Sequence, residues 1–355
     1  MKKLAKATSI LIMLLFMIIG IQNSSVVMAM ASENGVIYIH NQQELLQITS
    51  NPSGNYKLAN NITLSNDCWN TSILLKGTFD GAGYTISNFQ SQGMPLFDTI
   101  EQNAVLKNLT LTGYLKYGEE ASTHYNALLV GYNLGVIENC VTNGKVESAN
   151  GGNLSGMINQ NDNIVRNCTN NAEVKETYKP SSANSAYIDS NSIGWVAGLC
   201  SNNNGYLDNC INNGNVTANQ MMVGGLVSEN NQYSTIINST NNGMVKSEYS
   251  AYGISYRIGG IAASNSGLIY KSTNKGEIYS SEAAKSDAGG IAGEMESFCE
   301  IIDSVNYGKV TGYASTGGIC GEASLSSGHF DNDDNFIVNP GYLLLSDCEN
   351  HGVIT

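Results

Sequence analysis

Apolar and polar positions alternate along this chain in short runs, and the runs come back every thirty to forty residues. The recurring unit reads apolar, x, Asn, Cys or Ser, x, Asn, x, Gly, x, Val or Ile. It occurs at 137–146, 165–174, 207–216, 236–245, 269–278, 301–310 and 345–354. Period-two alternation over so few residues predicts strands. A second strand signal precedes most units, as in Gly224-Gly225-Leu226-Val227 and Gly259-Gly260-Ile261-Ala262. Paired glycines ahead of an apolar pair suit a tight corner with close backbone approach. A coil of two or more short strands cannot bury its apolar face alone, so it must stack on its neighbours.

Each column of the repeat has its own reading. The glycine column is Gly144, Ala172, Gly214, Gly243, Gly276, Gly308 and Gly352, at spacings of 28, 42, 29, 33, 32 and 44 residues. Constant units with variable separations are expected of a solenoid whose insertions leave as loops. Glycine there is expected to turn the backbone through positive φ, with a different turn at Ala172. Two positions earlier stand Thr142, Asn170, Asn212, Asn241, Asn274, Asn306 and Asn350. Amides stacked at the ~4.8 Å strand spacing can bond the coils above and below, which predicts a structural ladder. The column Cys140, Cys168, Cys210, Ser239, Ser272, Ser304 and Cys348 calls for a small side chain rather than a thiolate. Free, buried thiols are therefore expected, although a bridge between Cys140 and Cys168 is geometrically open.

These residues resemble a known family. Gly289-Gly290-Ile291-Ala292-Gly293 and Gly317-Gly318-Ile319-Cys320-Gly321 resemble the GLUG motif of bacterial surface proteins. Residues 77–86 resemble the opening coil of the same proteins. Similar repeats precede the catalytic domain of immunoglobulin-A-cleaving metalloproteases of Gram-positive bacteria. Over roughly 37–355 the resemblance implies an all-β, right-handed parallel β-helix with an adhesin-like surface role. It stops short of protease catalysis. A zinc protease helix needs H-E-x-x-H, and His40, His124, His329 and His351 include no pair four apart.

The ends of the chain read differently from its middle. Lys2, Lys3 and Lys6, an apolar run from Ile10 to Ile21, and Ala29-Met30-Ala31 form a signal-peptide pattern over 1–31. The mature chain is then expected to be secreted or cell-wall associated, with no membrane span. Residues 32–76 are expected to hold a cap and the first strands, and 77–355 the repeats. Asn41 and Glu44 fit a capping box that starts a short helix near 41–49. No cap follows the last repeat, which leaves a longer chain open.

Composition narrows the function. A net charge of −13 with only Arg166 and Arg257 as arginines argues against a nucleic acid partner. Arg166 shares a column with Glu138 and Asp208, which predicts a stacked ion pair. Asp331, Asp333 and Asn335 match the first three ligands of a calcium loop, but Phe336 and Tyr342 replace the required Gly and Glu. Calcium is the one cofactor with any support, and a solvated polar loop is the plainer reading. Insertions at 114–126, 175–193, 246–257, 279–287 and 311–316 hold ten of the nineteen tyrosines. Tyr178, Tyr187, Tyr249, Tyr252 and Tyr256 are the candidate ligand-binding residues, because insertions on one side of a solenoid often form its binding face. A polysaccharide or a host or cell-wall protein is the expected partner. The alternatives are a carbohydrate-active enzyme on the same scaffold, or the non-catalytic N-terminal part of a larger surface protease. An enzyme should gather acidic groups from three or more adjacent coils on one strand face.

Overall fold

A computed structural model describes residues 32–33, 35–117, 126–178, 194–219, 221–248, 256–284, 286–324, 328–330, 336–338 and 342–355. The protein is a parallel β-helix. One coil shows the plan: Trp195–Ala197, Cys200–Asn203, Tyr206–Asp208, then Ile211–Asn212 with Val216–Ala218. We call these sides one to four. Stacking each side on its counterpart produces sheets of seven, nine, twelve and fifteen strands. Side three is parallel from Val36–Ile39 to Leu343–Ser346, so the stack takes in the strands before residue 77 without a break.

The repeat columns are the ladder registers. Ile137, Val165, Leu207, Ile236, Ile269, Ile301 and Leu345 pair in succession on side three. Leu106, Phe79 and Tyr56 continue the column toward the N-terminus. Most of these side chains are fully buried, and they join one core that runs through the stack.

Asparagines occupy the interior beside that apolar column. Asn170, Asn212, Asn241, Asn274, Asn306 and Asn350 form a chain in which each Nδ2 donates to the next Oδ1 at 2.7–2.9 Å. Thr142 begins it by donating to Asn170. The second amide hydrogen goes to the carbonyl two residues on, as from Asn241 to Gly243. In most copies Oδ1 also accepts the N–H of that same residue, as at Gly214. Those amides use all four hydrogen-bonding positions, so their burial leaves nothing unpaired. The paired glycines make room for them. A Cβ on Gly225 would sit 2.5 Å from Asn241 Cγ and 2.0 Å from the Gly260 carbonyl oxygen.

The glycine column corrects one expectation. Only Gly144 has positive φ, at 115°. The left-handed residue of each unit is instead the one before Cys or Ser: Asn139, Asn167, Asn209, Asn238, Lys271, Asp303 and Asp347, at 49–55°. Asn and Asp tolerate that region, which leaves the glycine a different role. A Cβ on Gly243 would lie 2.0 Å from the Gly214 carbonyl oxygen, so glycine there permits coil-to-coil approach. No different turn appears at Ala172: its coil splits into Thr169–Asn170 and Glu173–Glu176 as the next does into Ile211–Asn212 and Val216–Ala218, and the exception is Val141–Ser148, one unbroken strand through Gly144.

At the N-terminus, α1 (Gln42–Leu46) starts at Asn41, whose side-chain oxygen accepts from the Glu44 N–H at 3.0 Å. Glu44 reaches back to the His40 N–H at 2.7 Å. A 3-10 turn, Gln47–Ser50, completes the segment, and Leu45 and Ile48 are fully buried in the core. All eight cysteines are free. Burial pushes the Cys168, Cys200 and Cys210 thiols well up, as befits small apolar fillers.

Candidate functional site

The tyrosine insertions are narrower than their sequence limits. Tyr114 and Tyr117 lie in the strand Thr110–Tyr117, and Tyr279 lies in Ile278–Ser280. Tyr256 begins the strand Tyr256–Gly259 and is 2% exposed, so it offers no binding surface. It faces inward with Ile258, as period-two alternation requires. Tyr178 is half-buried; its N–H donates to the Glu176 carboxylate and its carbonyl accepts from Asn219. Tyr187, Tyr249 and Tyr252 lie outside the described residues, as do Asp331, Asp333 and Asn335.

Arg166 pairs with Glu138 through Nε at 2.8 Å and Nη2 at 2.5 Å. Asp208, the third member of its column, accepts from Asn238 instead. This exposed pair holds neighbouring coils in register.

Arg257 stands in a larger charged strip. It pairs with Glu294 and lies 3.8 Å from Glu296. Glu229, Ser264, Glu294 and Glu322 follow one another in register on side two, and Asp287 follows Arg257 on side one. Carboxyl groups thus stand on three of four successive coils of side two, with Ser264 interrupting the row between Glu229 and Glu294. Their partners occupy them, however. Glu296 accepts from Ser264 and Ser266, Glu229 from Asn202, and Asp287 from the Ser315 N–H. Asp287 and Glu294 are 4% and 7% exposed. Burial raises the Glu229 carboxyl, with Glu296 adding to the effect and Arg257 opposing it. A hydrogen bond with Asp287 raises Glu322.

A different feature opens to solvent, at the corner between sides two and three. Four coils turn this corner in two residues after a buried asparagine: Asn133, Asn161, Asn203 and Asn265. These form a second interior ladder with Asn230, at 2.7–2.8 Å, which lies outside the seven-copy unit. Its sequence signal is Asn-x-Gly or Asn-x-Asn, because Oδ1 caps the N–H two residues on, as at Gly135 and Gly267.

Where apolar residues stand instead, at Ile100 and Met295, the corner lengthens and its third residue becomes left-handed: Asn103 at φ 70° and Phe298 at φ 70°. The Asn230 coil combines both forms. Its corner is long, with Tyr233 at φ 68°, and the Ser234 hydroxyl donates to Asn230 Oδ1 at 2.7 Å in place of the backbone N–H. Asn103 suits this turn. Tyr233 and Phe298 do not, since bulky side chains rarely take positive φ.

The two long corners flank the short one at Ser266 and Gly267. Between them lies an open groove of about 370 Å³, lined by Thr235, Leu268 and Glu300 of side three and by the aromatic residues Tyr233, Phe298 and Tyr342. Tyr233 is 90% exposed. Phe298 donates its N–H to the Tyr342 carbonyl at 2.9 Å, and the two rings meet edge to face at 6.1 Å. The Tyr342 hydroxyl donates to Glu300 at 3.0 Å. That bond raises the tyrosine's pKa.

No family model and no curated protein matches this chain. Among solved structures, an IgA1 protease is similar over 87% of this chain at 14% identity and a TM-score of 0.46. The chain spans 23% of that protein's length. A candidate immunoglobulin A1 protease from Bacteroides ovatus is similar over 91% of this chain and 85% of its own, at 14% identity and a TM-score of 0.41.

Proposed function

We propose that this protein is a non-catalytic extracellular β-helix that binds carbohydrate in the corner groove beside Tyr233, Phe298 and Tyr342. One observation carries the reading. Two bulky aromatic residues hold left-handed backbone in corners that flank a compact one, and both line the same groove. Strain of this kind persists where the site uses it. Exposed aromatic rings give a stiff amphipathic surface that covers the apolar face of a sugar. The leader pattern over 1–31 supports export. Such a module serves equally as the binding part of a larger surface protease. Intact protein would be titrated against soluble oligosaccharides by calorimetry, with Tyr233→Ser and Phe298→Ser as variants. Binding that both variants abolish supports the reading; absence of binding to every glycan tested, or binding unchanged in both, rejects it.

The strip around Arg257 favours a second reading, a carbohydrate-active enzyme, because its carboxyl groups stand on three of four successive coils. Release of reducing ends from a polysaccharide, lost in Asp287→Asn and Glu322→Gln, would establish it.

A further inference from the structure

The lining of the groove bears on which glycan it takes. Among the described residues, Glu300 is the only charged one in the lining, which includes no lysine or arginine. One carboxylate in a groove lined without cations repels acidic ligands, and the net charge of −13 adds to this at long range. The same carboxylate favours hydroxyl and ammonium donors, since hydrogen bonds to a charged acceptor are strong. Tyr342 supplies one donor to Glu300. A carboxylate has two oxygens and about four acceptor positions, so capacity remains for a ligand.

Geometry limits how the ligand enters. Thr235, Leu268 and Glu300 are paired in register on three successive coils. Tyr233 and Phe298 therefore stand two coils apart, about 9.6 Å at the usual strand spacing. A ring held between two aromatic faces needs roughly 7–8 Å, twice the optimal carbon contact of 3.5–4.0 Å. A coil separation of about 9.6 Å is of the order that one sugar ring between two side chains requires.

We infer that the groove selects glycans without acid groups, neutral or amino sugars, and that Glu300 is the specificity-determining residue that accepts their hydroxyl or ammonium donors. This rests on the carbohydrate-binding reading above and deepens it. The test is calorimetric titration of the full chain with three probes: a neutral β-glucan oligosaccharide, a chitosan oligosaccharide and an oligogalacturonate. The expected result is binding of the first two and none of the third. Glu300→Gln should weaken binding about tenfold, the effect of losing one charge-assisted hydrogen bond. Glu300→Lys should gain oligogalacturonate binding, and unchanged circular dichroism of both variants would show that the fold is intact. Two results overturn the inference while leaving the binding reading in place: oligogalacturonate binding at least as tightly as the others with sensitivity to Tyr233→Ser, or Glu300→Gln with unaltered affinities. If none of the probes binds but a peptide does, the carbohydrate reading itself fails.

Discussion

The short and long corners between sides two and three are built on the same coil, yet they are opposites. At Asn133, Asn161, Asn203 and Asn265 a buried amide caps the turn, and the chain proceeds at once to the next strand. At Tyr233 and Phe298 the chain takes a longer path and accepts an unfavourable φ. The first kind repeats because stacking demands it. The second kind departs from the repeat, with Tyr233 exposed and Phe298 half-buried. In a solenoid the kept positions report on packing, so a costly departure from them marks a candidate site.

The sharpest way to break this comparison is to remove a ladder amide. Asn241→Leu would take one of two hydrogen bonds from Asn212 Nδ2 and from Asn274 Oδ1, and would remove the amide donor to the Gly243 carbonyl. We expect a loss of about 3–5 kcal/mol in urea unfolding. Neighbouring Asn242 bonds Asn213 on the exposed side, and Asn242→Ala should change stability by about 0.5 kcal/mol or less. Next comes Gly225→Ala, whose methyl would press on the Gly260 carbonyl oxygen and on Asn241. Backbone contacts cannot move aside, so a loss of about 3 kcal/mol is expected in the same assay.

A long corner should behave in the reverse sense. Tyr233→Asn adopts the residue that the equivalent turn carries at Asn103, which relieves strain. A gain of about 1 kcal/mol is expected, together with loss of glycan binding. A loss of stability in this variant would show that Tyr233 serves packing, and the contrast between the corners would collapse.

The smallest effects concern pH. Glu147 is held below the usual carboxylate range by hydrogen bonds from Lys145 and then Tyr114. Its folded pKa lies below its unfolded one, so its contribution is present above the unfolded value and is lost as pH falls through the folded value. Glu322 is shifted the other way by Asp287. Its contribution is present below its unfolded pKa and disappears as pH rises through the folded one. Thermal melting should therefore show Glu147→Gln below the parent protein at pH 7 and converging on it as pH falls through the acid range. Glu322→Gln should melt above the parent at pH 7 and match it at pH 3. Parallel pH curves for all three proteins would remove the electrostatic part of this account.

Several features were legible in advance because each depends on residues close in sequence. The strand column from Ile137 to Leu345, the asparagines from Asn170 to Asn350, and the Asn41 cap with Glu44 are of this kind. A repeat states its own register, since every coil must place equivalent residues over one another. The second ladder was also written in the chain, as Asn-x-Gly or Asn-x-Asn before four of the seven units, but it falls outside the unit that the Cys and Ser column anchors. The glycine column was legible while its role was not. Positive φ and coil-to-coil clearance both favour glycine, and only the backbone geometry separates them.

The sequence by itself determined the stacking: strand period, coil order and the small or amide side chains that a shared interior needs. Only the tertiary structure decided what the outside does. Tyr233, Phe298 and Tyr342 are up to 109 residues apart in the chain (342 − 233), and no local pattern joins them. They meet because coils stack at a fixed rise, which turns sequence distances of whole repeats into neighbours that line one groove. The same stacking buried Tyr256, which composition alone had placed on a binding surface.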